Sequence, residues 1–190
     1  MPEKMGMTWQ EALQKLKNGN EMWLKEREGR TGNVSVQSVK NHMSGQSPYA
    51  VVVTCSDSRV IPEAVFHAGT GDIFVIRTAG NTIGEEAVGS IEYAIDHLGT
   101  RLVLILGHTH CGAVGAAIDG ASGHYVRCIT DRITKAIGSE KDPYKACCLN
   151  VLSSAEEVKK KLADRKEPCF EETEVRGAIF SLEDGTVKFL

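Results

Sequence analysis

Two short segments hold the residues whose types and spacing could do chemistry. One is Cys55-Ser56-Asp57-Ser58-Arg59; the other, about fifty residues on, is Gly107-His108-Thr109-His110-Cys111-Gly112. Together they offer two thiols, an imidazole and a carboxylate, a full ligand set for one zinc ion per chain. Cys and His are soft enough to disfavour magnesium or calcium. A purely structural zinc site normally closes with four Cys or His ligands in paired short spacings. Here Cys55, His108 and Cys111 are three strong ligands, and Asp57 follows Cys55 by two positions. A fourth position left to water, or filled reversibly by Asp57, is what catalysis needs. Two thiolates neutralise the ion's charge, so a bound water is less acidic than on an all-imidazole zinc. Arg59 can offset that by pairing bidentately with Asp57, holding it off the metal and leaving one oxygen to accept a proton. Each motif alone also fits a bland reading, an inert buried cysteine or a surface ion pair. Their joint occurrence, each after a strand, points to a metal enzyme.

The elements that must position these residues are legible around them. Tyr49–Thr54 and Arg101–Leu106 are short apolar runs that read as buried strands. In open parallel sheets, sites form beyond the carboxyl ends of strands, so two neighbouring strands can deliver Cys55, His108 and Cys111 to one point. Asp72–Arg77 reads as another strand, followed by the loop Thr78-Ala79-Gly80-Asn81. Glu85–Leu98 reads as a helix closed by Gly99, Pro62 opens a short helix to Phe66, and Gly112–Ile118 is helical. Upstream, Thr8 and Glu11 form a capping-box pattern, and Gly19 is expected to interrupt the helix that follows. Residues 28–48 are polar, with a helix expected near Val36 to Met43. A helix is expected from Asp131 to Ile137, and Asn150 is a candidate N-cap for a helix to about Leu162. Val175–Leu182 and Val187–Leu190, joined by Asp184-Gly185, read as a hairpin. The fold class is therefore α/β: a central, mostly parallel sheet flanked by helices, with right-handed crossovers, an antiparallel C-terminal edge hairpin and an N-terminal helical arm.

Bulk properties narrow the function classes. At 190 residues, 42% hydrophobic and 25% charged, the chain suits a single domain over 1–190, with a helical arm over 1–45 and an α/β core over 46–190. The net charge of −3 gives no basic footprint for nucleic acid or anionic membrane. No apolar run is long enough to span a bilayer. The segment Met1–Thr8 lacks the apolar core of a secretion signal, which makes the cytoplasm the default location. In that setting the six cysteines are expected to be reduced thiols and not three disulfides.

At these residues the chain resembles a β-class carbonic anhydrase of the plant-like kind. The shared motifs are Cys55 to Arg59, Gly71-Asp72-Ile73-Phe74-Val75-Ile76-Arg77-Thr78-Ala79-Gly80-Asn81, Ser90-Ile91-Glu92-Tyr93-Ala94 and Gly107 to Ala113. Leu16, Gly19, Asn20 and Trp23 near the start, and Gly177 to Gly185 near the end, match as well. The resemblance covers nearly all of the chain except about 119–149. It implies reversible hydration of carbon dioxide to bicarbonate and a proton by attack of zinc-bound hydroxide. It carries Cys55, His108 and Cys111 over as zinc ligands, and Asp57 and Arg59 as the dyad that orients and activates the zinc-bound water. It places Gln46 as a hydrogen-bonding partner of substrate, Phe74, Ala79 and Tyr93 as walls of a narrow substrate pocket, and the backbone N–H of Gly112 as a further substrate contact. Because the equivalents of Gln46, Phe74 and Tyr93 reach in from a second subunit, a homodimer or higher homo-oligomer is implied.

Some positions depart from the pattern. Thr78 replaces a commoner Asn. Val52 stands where the bicarbonate-inhibited subtype has Trp, which argues against that subtype's effector site. His110 is either a proton shuttle, since His titrates near neutrality, or, as is more common, a packed or solvent-facing histidine. Cys128, Cys147, Cys148 and Cys169 match no ligand spacing and read as structural or incidental. Two other functions use the same residues: a hydrolase of carbonyl sulfide or carbon disulfide, and a non-catalytic zinc-binding dimeric scaffold. A scaffold needs none of Asp57, Arg59 and Gln46.

Overall fold

The computed structural model describes residues 7–26, 32–121 and 123–190. Residues 1–6, on which the expectation of no secretion signal mostly rests, and 27–31, the start of the polar connection, lie outside them. In chain order the helices are α1 (Trp9–Glu26), α2 (Val36–Asn41), α3 (Pro62–Val65), α4 (Glu85–Leu98), α5 (Gly112–Ile118), α6 (Arg127–Ile137), α7 (Pro143–Ala163) and α8 (Pro168–Glu171). The strands are β1 (Ala50–Cys55), β2 (Ile73–Thr78), β3 (Leu102–His108), β4 (Glu174–Phe180) and β5 (Val187–Phe189). They form one sheet in the order β2-β1-β3-β4-β5, parallel except for β5, which runs antiparallel to β4. The α/β class with an antiparallel C-terminal edge is thus borne out.

Every residue of β1 and β3 is buried, as the unbroken apolar runs of central parallel strands require. Alternation along the pleat divides their side chains between two cores. Val51, Val53, Cys55, Val103 and Ile105 face the layer that holds α4, α5, α6 and α7. Ala50, Val52, Leu102, Leu104 and Leu106 face Ala12 and Leu16 of α1 and Val65 of α3. Cys55, at the end of β1, therefore opens onto the first of these layers.

The capping box forms: the Glu11 N–H donates to Thr8 Oγ1 at 3.3 Å, and the Thr8 N–H donates back to Glu11 Oε2 at 3.0 Å. Gly19, however, does not interrupt α1, which continues to Glu26. A Cβ at Gly19 would sit 1.9 Å from the Phe66 carbonyl oxygen. The glycine is there for close approach to the end of α3, and that contact outweighs a propensity cost of about 1 kcal/mol. The neighbouring Asn20 uses the approach: its amide donates to the carbonyls of Val65 and Gly185, each at 3.1 Å, and its Oδ1 accepts from the Val187 N–H at 3.1 Å.

The stretch 119–149 is largely helical. Helix α6 begins at Arg127, before the expected Asp131. Asn150 is not an N-cap. Helix α7 starts at Pro143, and Asp142 caps it by accepting the Lys145 N–H at 2.8 Å; Asp followed by Pro is the stronger start signal. Asn150 lies buried inside the helix and donates to the Gly80 carbonyl at 2.8 Å. One residue on, Val151 packs against the sheet where β3 and β4 both carry glycine. A Cβ at Gly107 or Gly177 would meet it at 2.4 Å or 2.8 Å. Among the described residues no helix is long and apolar enough to cross a membrane.

Candidate metal centre

Cys55 is the last residue of β1 and His108 the last of β3. The two strands are neighbours in parallel register, with Thr54 opposite Leu106, so both side chains leave the sheet at the same end. Cys111 occupies the N-cap position of α5. The chain turns back between His108 and Cys111 because His110 adopts a left-handed conformation, φ 54°, which costs a residue with a Cβ about 1–2 kcal/mol. As a result one ligating atom from each of Cys55, His108 and Cys111 lies within 4.8 Å of the others, and all three residues are buried.

The chemistry of this donor set fits a metal ion. The Thr109 carbonyl can only accept, so its 2.8 Å contact with His108 Nδ1 places the ring proton there. Nε2 is then a bare lone pair, and it is buried with no hydrogen-bond partner. An orphaned buried acceptor is costly to leave; a metal ion held by these three residues would satisfy it. The Cys55 sulfur accepts the N–H groups of Gly80 at 3.2 Å and Asp57 at 3.4 Å. A hydrogen bond from Cys111 holds the Cys55 thiol well below its usual range, while the same contact pushes Cys111 up. A divalent cation held here would take both sulfurs as thiolates, and their protons would be released to solvent. Burial works against protonation of His108, yet the Cys55 sulfur and the Thr109 carbonyl outweigh it and raise its pKa. Such a set of two sulfurs and one imidazole nitrogen suits zinc.

Beside it lies the carboxylate pair expected from sequence. Asp57 Oδ1 accepts the Arg59 N–H at 3.0 Å and its Nε–H at 2.9 Å, and Oδ2 accepts from a terminal guanidinium nitrogen at 2.8 Å. This fork holds the Asp57 carboxyl far below the usual carboxylate range. Its Oδ2 lies 3.9 Å from the bare His108 Nε2. Arg59 reaches on to the His110 carbonyl at 3.3 Å. Arg77 is a contributor that sequence reasoning quoted without a role. It donates to the carbonyls of Cys55 at 3.1 Å and Asp57 at 2.7 Å, fixing the backbone on both sides of Ser56. The signal that could have found it is its place in β2, one residue before the position paired with Cys55.

The residues expected to meet substrate divide into two groups. Ala79 follows Thr78, the register partner of Cys55, and Gly112 follows Cys111 at the exposed start of α5; both stand at this site. Phe74 and Tyr93 do not. Phe74 pairs with Val51, four residues before Cys55, a separation of about 13 Å along the strand. Its ring meets that of Tyr93 on α4, centroids 6.3 Å apart, and Tyr93 is 47% exposed. Gln46 is exposed in the loop before β1. His110 carries an exposed ring that contacts Glu183. Cys147 is buried and Cys128 exposed, and all six cysteines are free.

A sequence model described as carbonic anhydrase matches residues 50–187. A Mycobacterium tuberculosis protein named carbonic anhydrase 2 is 43% identical over 134 residues, which are 66% of this chain and 63% of that protein, so the match spans less than two thirds of the relative. Among solved structures, a Coccomyxa β-carbonic anhydrase in complex with acetazolamide superposes with a TM-score of 0.68 at 26% identity, covering 94% of this chain and 86% of the other. One of two tetrameric β-carbonic anhydrases from Sordaria macrospora does so with a TM-score of 0.67 at 25% identity, covering 80% and 85%.

Proposed function

The chain belongs to the β-carbonic anhydrase family, and we propose that it catalyses the reversible hydration of carbon dioxide to bicarbonate and a proton. The observation that carries this reading is the convergence of three buried soft ligands beside a carboxylate locked by arginine. One zinc ion per chain would be held by Cys55, His108 and Cys111 and would supply the Lewis acidity that makes water nucleophilic near neutral pH. The protein's residues do the rest. Arg59 engages both oxygens of Asp57 and keeps them from capping the metal position. The ionised Asp57 then accepts a proton from water at the site through Oδ2, the oxygen nearer His108. Arg77 holds the Asp57 backbone so that this oxygen keeps its place.

Carbon dioxide is uncharged, so its pocket should be apolar with a few placed donors. Ala79 and the N–H of Gly112 serve from the same chain. Phe74, Tyr93 and Gln46 serve from a second copy, which makes the working unit a homodimer or a multiple of it. What supports this is their location: Phe74 lies on edge strand β2, too far along it to reach its own metal centre, and Tyr93 on α4 stands against Phe74. We assign it to the cytoplasm; what supports a reducing compartment is that its cysteines are free thiols.

Stopped-flow hydration on metal-quantified protein tests the reading. Turnover of carbon dioxide that scales with zinc content is the expected result. Zinc-loaded protein that releases sulfide from carbonyl sulfide or carbon disulfide, and leaves carbon dioxide untouched, overturns it.

A further inference from the structure

We propose that Glu183, in the turn between β4 and β5, is a positioning residue of the metal centre that grips the Thr109–His110 turn and so fixes the ring of His108. The inference rests on the zinc site read above.

Glu183 Oε2 accepts the Thr109 hydroxyl at 2.7 Å and the Ser181 hydroxyl at 3.0 Å, and Oε1 lies 2.6 Å from His110 Nε2. The Thr109 hydroxyl accepts the Leu182 N–H at 3.0 Å, and the Thr109 N–H donates to the Phe180 carbonyl at 3.0 Å. Both residues that separate His108 from Cys111 are thus tied to the hairpin. What they do locally matters for the site. The Thr109 carbonyl receives Nδ1–H of His108, so its direction sets where the bare Nε2 points. The His110 carbonyl receives Arg59, so the same short turn also touches the partner of Asp57. Arg59 holds the turn on the dyad side and Glu183 holds it on the hairpin side. Between them His110 stays at φ 54°, a conformation it would leave if released. Groups that orient a metal-bound imidazole are worth about 10- to 100-fold in metal affinity.

A purely structural role is the competing account, since Glu183 could merely tighten its own turn. Asp184 provides the control. Its Oδ1 accepts the Thr186 N–H at 3.0 Å and the Thr186 hydroxyl at 2.8 Å, so it braces the same turn from within the hairpin. The measurement is zinc affinity by chelator competition, together with the ligand-field absorption of cobalt-substituted protein. Glu183→Ala should weaken zinc binding about 10- to 100-fold and shift the cobalt bands. Glu183→Gln, which keeps an oxygen for Thr109, should recover part of that loss. Asp184→Ala should leave both readouts unchanged. Should Glu183→Ala fail to fold, Thr109→Val and Glu183→Gln read the same quantity, and each must weaken zinc binding. Wild-type affinity and spectrum in the folded Glu183 variants, or an equal loss in Asp184→Ala, overturns the inference alone. Wild-type protein that binds no zinc overturns it together with the function proposed above.

Discussion

The two ends of the sheet's parallel strands are built to different degrees of completeness. At the carboxyl ends of β1 and β3, one chain brings Cys55, His108 and Cys111 within 4.8 Å of each other, and Asp57, Arg59 and Arg77 are already hydrogen-bonded around them. At the other end, along edge strand β2 and α4, Phe74 and Tyr93 touch each other and solvent, and Gln46 is exposed. A metal centre must be preorganised within a chain, because its ligands have to converge on one ion. A wall of an apolar pocket needs only shape, and a second subunit can bring that.

The comparison breaks first at the metal. Cys111→Ala should lose zinc and hydration activity together; full zinc by elemental analysis in that variant would falsify the ligand assignment. Next comes Arg59→Ala. Zinc should stay bound while turnover falls by about 10²- to 10⁴-fold, the usual worth of a positioned proton acceptor, because the released Asp57 can swing onto the metal. Hydration near the wild-type rate would show that the pair is ornamental. Gln46→Ala should keep zinc and fold but lower kcat/KM by about 10- to 10³-fold, as losing one donor to developing charge does. Mixing sharpens this case. If Gln46 acts across the dimer, Gln46→Ala and Arg59→Ala subunits together should regain about a quarter of wild-type activity, since half the dimers are mixed and each has one intact site. No regain on mixing assigns Gln46 to its own chain.

The smallest effect is at the hairpin that braces the metal end. Hydrogen bonds from Thr109 and Ser181, with a contribution from His110, hold the Glu183 carboxyl down to about 2 from 4.5. A depressed pKa means that the stabilisation is complete above about 4.5 and is lost as pH falls towards 2. In metal-free protein the Tm gap between wild type and Glu183→Gln should therefore be widest above pH 4.5 and close on acidification. A gap independent of pH would assign the effect to packing.

Legibility in the sequence followed how local each interaction is. The apolar runs of β1 and β3 announce buried strands, and Gly99 announces the end of α4, because those signals lie in the elements themselves. The metal set was legible because few residue types bind zinc and two motifs held all of them. Gly19 misled because a glycine that permits contact and one that ends a helix look alike without Phe66 in view. Asn150 misled because an amide that favours caps can instead satisfy itself inside a helix on a distant carbonyl, that of Gly80. Glu183 stood in a recognised tail motif, yet its partners His110 and Thr109 are 73 and 74 residues away. No spacing rule reaches that far.

The pairing of β1 with β3 has a consequence for how the chain acquires its metal. These strands are neighbours in space, but β2 and α4 lie between them in sequence. Cys55 therefore meets His108 only after that whole segment has been looped out and the ladder has closed with Thr54 opposite Leu106. A slip of two residues keeps every side chain on its own face yet parts the ligands by about 7 Å. Tight zinc uptake during refolding is thus a gauge of strand alignment. It should lag the recovery of helical signal and coincide with completion of the central ladder.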